Sequence, residues 1–268
     1  MLRIEDLDLA RCSEADSRAV IDDLLWLGFD FDGEVYYQSR RAEIYADALK
    51  KISRKADIYP CWCTRGSLAA TAPHGADGHP IYDGRCRRLP PDAPHDRPPC
   101  LRVAVPDRVI SLTDRLQGGY RQNLAAECGD FILRRADGVY AYQLAVVVDD
   151  ALSGVTEVVR GLDLLPSAPR QMFLYECLGY PPPSYCHTPL LLGPDGKRLA
   201  KRDGAYDIGE LRKRFASPEP IIGALAYCAG VIDRPDELSL SELIPLFDIS
   251  AIKKDNIIFL PSPLWEQP

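Results

Sequence analysis

The sequence has no apolar run that approaches the ~20 residues needed to cross a bilayer. Its first residues, MLRIEDLDLARC, lack the basic and apolar regions of a secretory signal peptide. Internal repeats and low-complexity tracts are also missing from the sequence. These absences exclude a chain anchored by its own membrane-spanning helix, and we expect a cytoplasmic protein with no membrane partner.

A disulfide framework is not expected either. The nine cysteines are an odd number, unevenly spread, in a sequence without an export signal. Histidine is scarce, with four residues. The cysteines therefore favour a metal site over disulfide bonds.

The sequence has no excess of positive charge, since 32 lysines and arginines face 39 acidic residues and the net charge is −7. This excludes a protein that binds nucleic acid through a uniformly basic surface. Local basic segments remain, although such a run is ordinarily a solvated face. They are Arg85, Arg87 and Arg88; Lys197, Arg198, Lys201 and Arg202; and Arg212, Lys213 and Arg214.

Length and composition allow a buried core in one or two domains, because the 268 residues are 46% apolar and 26% charged. The patterns predict strands alternating with helices, then helices alone after residue 207. The expected strands are 2–5, 101–105, 109–112, 131–134, 139–142, 155–160 and 188–192, and the expected helices are 13–27, 40–52, 169–178, 207–214, 219–229 and 240–246. The apolar run 144–148 fits either a buried strand or a helix.

The first candidate site joins Cys61-Trp-Cys63 to Tyr82-Asp-Gly-Arg-Cys86 across a segment rich in proline and glycine. Three thiolates and one further donor would complete a tetrahedral zinc site, which is a common way to hold a polar loop. From spacing alone, three buried free cysteines are an equal alternative. The candidates for the fourth ligand are Tyr82, Cys100, His74, His79 and His95.

The second candidate site is the glycine-bounded loop 193–204, which carries four cationic side chains directly after a predicted strand. A flexible lysine in such a loop suits a polyphosphate, because its ammonium group can follow charge that develops on a leaving group. A basic hairpin without a ligand is the alternative.

The third candidate site consists of Glu5 and Asp6 after the first strand, with Tyr142 and Arg160 expected near the ends of later strands. Ligands of open α/β sheets bind at the carboxyl ends of the strands. Glu5 would hold an ammonium group and Arg160 would bind a carboxylate through two hydrogen bonds. A structural ion pair is the alternative interpretation.

Five segments, taken together and in order, resemble the catalytic core of class I glutamyl-tRNA synthetases. They are LRIEDLD (2–8), CWC with YDGRC, AYQLAVVVDDALSGVTEVVRGLDLL (141–165), PRQMFLYECLGY (169–180) and GKRLAKRDG (196–204). The resemblance covers the chain nearly end to end. The Tyr-x-x-x-Cys pattern points to the glutamyl-Q branch, which modifies tRNA and has no anticodon-binding domain.

The resemblance implies an α/β fold: a Rossmann-type class I aminoacyl-tRNA synthetase catalytic domain over residues 1–200, with a zinc-bearing insertion at about 58–100. Residues 201–268 would hold the signature-loop lysine and a small α-helical C-terminal domain. The family's first strand and helix, with a His-x-Gly-His-type motif, have no counterpart here, so we expect an N-terminally truncated domain with an incomplete ATP site. Met1 would then be a start site chosen within a longer gene.

The resemblance also implies the ligands and the reaction. ATP, with Mg²⁺, would activate L-glutamate as an adenylate, and the glutamyl group would pass to the queuosine base of tRNA(Asp). We expect a monomer. The residues carried over are Glu5, Tyr142 and Arg160 for L-glutamate, Lys201 for ATP and catalysis, and Cys61, Cys63, Tyr82 and Cys86 for one structural Zn²⁺.

The signature loop departs from the family pattern Lys-x-Ser-Lys, since this chain has Arg198-Leu-Ala200-Lys201. The second lysine is kept, while the first becomes arginine and the hydroxyl becomes a methyl group. Two alternative functions stay open: a fragment of glutamate-tRNA ligase, and an inactive zinc-containing remnant that binds RNA or protein.

Overall fold

A computed structural model describes residues 1–10, 12–75, 78, 80–90, 96–199 and 207–259. The chain divides into two compact units. The first unit contains Met1–Tyr37 and Thr188–Pro268, and the second contains Gln38–His187. The loop lysine Lys201 and the histidines His79 and His95 lie outside the described residues.

The first unit contains two pairs of short parallel strands. Strand β1 (Leu2–Ile4) pairs with β2 (Val35–Tyr37), and β10 (Leu191–Leu192) pairs with β11 (Ile257–Ile258). Its helices are α1 (Glu14–Trp26), α7 (Ile208–Arg214), α8 (Glu219–Ala229) and α9 (Leu240–Leu243).

The core of the first unit comes from its C-terminal part. Leu211, Ile221, Ala224 and Phe259 are buried together, and Trp26 of α1 packs against them. The start of α1 follows from sequence, since Ser13 and Asp16 form the predicted capping box.

The second unit combines β-structure with three packed helices. The strands are β3 (Ile58–Cys61), β4 (Cys100–Val103), β5 (Val109–Asp114), β6 (Gly118–Asn123), β7 (Phe131–Arg134), β8 (Glu157–Gly161) and β9 (Ser184–Thr188). The helices are α2 (Ala42–Ile52), α3 (Arg65–Thr71), α4 (Leu124–Glu127), α5 (Tyr142–Leu152) and α6 (Ala168–Leu178), and 3₁₀ helices cover Gln38–Arg40, Arg85–Arg88 and Leu162–Ser167.

The strands of the second unit form small sheets. Strands β3, β4 and β7 make an antiparallel sheet, β5 and β6 form an antiparallel hairpin, and β8 pairs with β9. Helices α2, α5 and α6 pack against one another beside them. The α/β class is thus confirmed, while the division at residue 200 stays a prediction.

The structure corrects the expected strand at 139–142 and decides the ambiguous run at 144–148. Tyr140 forms one isolated bridge with Arg134, and Tyr142 opens helix α5. The run of valines is buried on every side of this helix, so no amphipathic pattern marks it in the sequence. Tertiary packing outweighs the β-preference of valine here.

None of the helices within the described ranges is both long and apolar enough to cross a membrane.

Candidate functional site

The cysteine cluster is built from the edge of the antiparallel sheet and the segment that follows it. Cys61 is the last residue of β3, Cys63 directly precedes the Thr64 cap of α3, and Cys86 lies in the 3₁₀ helix Arg85–Arg88. Tyr82 approaches Gly129 so closely that a Cβ there would lie 2.4 Å from the Tyr82 carbonyl oxygen. Glycine at 129 therefore permits the backbone position from which Tyr82 reaches the cluster.

The sulfur atoms of Cys61, Cys63 and Cys86 all lie within 4.8 Å of one another. The Cys63 and Cys86 sulfurs are 3.6 Å apart, and the Tyr82 hydroxyl lies 3.4 Å from the Cys61 sulfur and 3.9 Å from that of Cys63. Zinc–sulfur bonds of about 2.3 Å place tetrahedral sulfurs roughly 3.8 Å apart. The donor set therefore fits a small tetrahedral cation.

The other candidates for the fourth ligand, Cys100 and His74, do not join the three sulfurs. The Cys100 thiol is buried and donates a hydrogen bond to the Cys61 carbonyl oxygen at 3.2 Å, and it is not part of the converging sulfur group. His74 forms an isolated bridge with Pro80 and does not join the group either.

Electrostatics around the cluster favour one anionic sulfur. The Cys100 thiol, the Tyr82 hydroxyl and Arg102 lower the pKa of Cys61 against the effect of burial. The buried Arg102 guanidinium donates to the Cys61 sulfur at 3.2 Å and lies 4.1 Å from the centre of the Tyr82 ring. Burial and the Cys86 thiol raise the pKa of Cys63 to about 11. A divalent cation would reverse that increase, since it stabilises thiolates.

Arg160 lies near the end of β8, as the sequence predicts, and three neutral acceptors hold its guanidinium. Nε donates to His187 Nε2 at 3.0 Å, Nη1 to the Gln171 side-chain oxygen at 2.8 Å, and Nη2 to the Leu164 carbonyl oxygen at 3.2 Å. The pairing of β8 with β9 brings His187 to this position.

Further polar side chains extend this arrangement in both directions. Gln171 donates to Gln143 at 2.9 Å, and Gln143 donates to Ser167 at 3.0 Å. On the other side, His187 Nδ1 lies 2.6 Å from the buried carboxylate of Asp114. We call Asp114, His187, Arg160, Gln171, Gln143 and Ser167 the Arg160 network.

Tyr142 and Arg160 both lie close to the buried Tyr185. Burial raises the pKa of Tyr185, while Arg160 lowers it and Tyr142 raises it. The Arg160 guanidinium lies 5.2 Å from the centre of the Tyr185 ring. Tyr142 itself is the first residue of α5 and is 36% exposed, so its side chain is accessible.

The other predicted site residues belong to other parts of the chain. Glu5 belongs to the first unit and forms an ion pair with Arg3 at 3.0 Å. Asp6 is buried in the same unit. Lys201 lies outside the described residues, so its role and that of Glu5 stay predictions.

The sequence patterns did not point to His187, Asp114 or Gln171. Their partners are 73, 27 and 11 residues away, beyond the reach of any local motif. A histidine directly before the predicted strand 188–192 was the available signal, because a buried imidazole needs partners.

The chain is similar to known proteins in sequence and in fold. The family described as tRNA synthetases class I (E and Q), catalytic domain, matches residues 1–254. Relatives called glutamyl-Q tRNA(Asp) synthetase in Symbiobacterium thermophilum and Neisseria meningitidis serogroup C / serotype 2a are 47% and 48% identical, over 96% of this chain and 84% and 87% of theirs.

A solved glutamate tRNA ligase from Elizabethkingia meningosepticum, in complex with its amino acid, shares the fold with a TM-score of 0.78 and 28% identity. That match covers 97% of this chain, which spans 60% of the ligase's length. The chain therefore belongs to the class I tRNA synthetases (E and Q), a family of ligases, and to the glutamyl-Q tRNA(Asp) synthetases within it.

Proposed function

We propose that this chain uses ATP to activate L-glutamate and transfers the glutamyl group to the queuosine base of tRNA(Asp). The observation that carries the proposal is the guanidinium of Arg160, which His187 and Gln171 fix close to Tyr185. An arginine held in this way can bind a carboxylate through two parallel hydrogen bonds. The names of the relatives at 47–48% identity support the acceptor.

The reaction needs no protein nucleophile. A carboxylate oxygen of glutamate attacks the α-phosphorus of ATP and pyrophosphate leaves; a nucleophilic group of queuosine then attacks the activated carbonyl and AMP leaves. Arg160 and Tyr142 would orient glutamate, Glu5 would bind its ammonium group, and Lys201 would stabilise charge on the phosphates. Catalysis would rest on positioning and charge stabilisation.

Glutamate binding by the 268-residue chain tests this assignment. Arg160→Ala should raise the dissociation constant for L-glutamate about 100-fold, because a charged pair of hydrogen bonds is lost. The matched control is Arg135→Ala, since Arg135 pairs with Asp137 at the surface. Equal affinity in the Arg160 variant and the control would refute the assignment.

Pyrophosphate exchange dependent on glutamate tests the activation step. Activity in this chain would exclude the inactive remnant. Lys201→Ala should reduce adenylate formation by roughly 100-fold or more, the scale of one lost transition-state donor. An unchanged rate would show that Lys201 is misassigned.

The acceptor separates the two enzymatic alternatives. Labelled glutamate should be transferred to tRNA(Asp) that contains queuosine and not to the same tRNA without it. Transfer to the 3′ end of a glutamate tRNA would instead support the alternative of a glutamate-tRNA ligase fragment.

We also propose that Cys61, Cys63, Cys86 and Tyr82 hold one structural Zn²⁺. The convergence of the three sulfurs and the Tyr82 hydroxyl supports this ligand set. Metal analysis of Tyr82→Phe and Cys100→Ser tests the fourth ligand. Weaker zinc binding in the phenylalanine variant alone is expected, and weaker binding in the serine variant alone would assign Cys100 instead.

A further inference from the structure

A buried aspartate and histidine lie directly behind Arg160. Asp114 ends strand β5 and His187 belongs to β9, and the two side chains are 2% and 0% exposed. The Asp114 carboxylate accepts from His187 Nδ1 at 2.6 Å and from the His187 backbone N–H at 3.1 Å. Backbone N–H groups of Leu116 and Gln117 donate to it as well. The Asp114 carboxylate therefore accepts hydrogen bonds from one imidazole and three backbone N–H groups.

The hydrogen bond from Arg160 determines which ring nitrogen of His187 carries the proton. A guanidinium has N–H donors and no acceptor, so His187 Nε2 must accept the hydrogen bond from Arg160 Nε. The proton of a neutral imidazole then lies on Nδ1, where it is donated to Asp114. Burial lowers the pKa of His187, and Arg160 lowers it further, against the effects of Asp114 and of the Leu164 backbone. The neutral form with the proton on Nδ1 satisfies the contacts with both Arg160 and Asp114.

Three hydrogen bonds and one aromatic ring hold the Arg160 guanidinium in place. The guanidinium donates hydrogen bonds to His187, Gln171 and the Leu164 carbonyl oxygen, and the Tyr185 ring lies against it. Tyr185 is in turn stacked on His187, with ring centres 5.9 Å apart. An arginine held before its ligand arrives loses less side-chain entropy on binding. A neutral imidazole between Arg160 and Asp114 provides this orientation without placing a carboxylate at Nε.

We propose that Asp114 and His187 are positioning residues for glutamate recognition: Asp114 fixes the His187 tautomer, and His187 fixes the Arg160 guanidinium. The inference rests on the proposed role of Arg160 in binding a carboxylate of glutamate. It adds a requirement for an acceptor at the position of His187 Nε2.

Two substitutions at His187 separate its two hydrogen bonds. His187→Asn keeps an amide N–H for Asp114 but does not reach Arg160, whereas the longer side chain of His187→Gln provides an oxygen for Arg160. The asparagine variant should raise the dissociation constant for L-glutamate about tenfold, and the glutamine variant should stay within about threefold of the original chain. The KM for ATP and the zinc content should change in neither.

The control is Tyr45→Phe, which removes a buried hydrogen bond of 2.8 Å to Asp149. It should lower the melting temperature without changing glutamate affinity. Equal glutamate affinity in both His187 variants, at any value, would overturn the positioning role. If Arg160→Ala also leaves affinity unchanged, the proposed function fails; if Arg160→Ala weakens binding and His187→Asn does not, only this inference fails.

A measurement on the unaltered chain covers the case in which a variant does not fold. NMR of ¹⁵N-labelled histidine in the full chain should show His187 protonated at Nδ1 and unprotonated at Nε2 at neutral pH. The chain has only four histidines, which simplifies the assignment. A proton on Nε2 would overturn the proposal.

Discussion

The cysteine cluster and the Arg160 network are both polar and largely buried in the second unit, but their polar groups are arranged differently. In the cluster, three sulfurs lie within 4.8 Å of one another, and the Tyr82 hydroxyl oxygen lies within 3.9 Å of two of them. In the Arg160 network, donors and acceptors alternate from Asp114 to Ser167.

The difference shows where each site obtains its stability. Converging donors repel one another as anions and need a cation, so metal binding contributes to folding. Alternating donors and acceptors satisfy one another, so the Arg160 network can be fixed before substrate binds. We therefore expect metal loss to act on the stability of the unit, and changes around Arg160 to act mainly on glutamate affinity.

Metal removal should have the largest effect. If zinc is present at about 1,000 times its dissociation constant, chelation removes about 4 kcal/mol of stability. That loss corresponds to a fall of roughly 10 °C in melting temperature for a chain of this size. Calorimetry with and without chelator measures it, and Cys86→Ala should show the low value in both conditions. Cys128→Ala is the control and should respond like the original chain; an unmoved melting temperature would contradict a structural metal.

Loss of the buried Asp114 carboxylate should have the second-largest effect on stability. Asp114→Ala leaves His187 and several backbone N–H groups without their acceptor, which should cost about 3 kcal/mol in the free energy of unfolding. Urea unfolding measures the cost. The control Asp137→Ala removes an exposed carboxylate and should change stability by less than about 0.5 kcal/mol. Zinc content should stay at the original value in both variants.

Arg102 links the cysteine cluster to a fixed positive charge. Arg102→Met removes the donor to the Cys61 sulfur, and we expect zinc affinity to fall by about 10- to 100-fold. Competition with a chelating dye measures this affinity. Arg85→Met is the control, since Arg85 is exposed and pairs with Asp83. Equal zinc affinity in the two variants would show that Arg102 serves packing alone.

The pH dependence of stability should be the smallest effect. The pKa of His187 is lower in the fold than its ordinary value of 6.5, so the unfolded chain takes up a proton first as the pH falls. The free energy of unfolding should therefore decrease below about pH 6.5, by at most about 1.4 kcal/mol per pH unit from this group. His187→Gln removes that contribution, and urea unfolding at pH 7 and pH 5.5 compares the two chains. A steeper decrease in the glutamine variant would contradict a neutral His187.

Local patterns predicted the elements with strong periodicity or caps. Helix α1 begins after the predicted Ser13 cap, and α2 and α6 lie within two residues of their predicted bounds. Helix α5 was ambiguous because residues 144–150 are all buried, so the sequence shows no apolar face opposite a polar one there. Its contacts with α2 and α6 exist only in the folded chain.

The sequence by itself determined the family, the α/β class and the thiols of the candidate metal site, because these depend on residue types and motifs that local segments carry. Tertiary structure alone decided which side chains hold Arg160. Asp114, His187 and Gln171 come from separate elements, and only the pairing of strands and the packing of α6 bring their atoms within hydrogen-bond distance. Such contacts depend on distances of about 3 Å between residues far apart in the chain, and no local pattern specifies them.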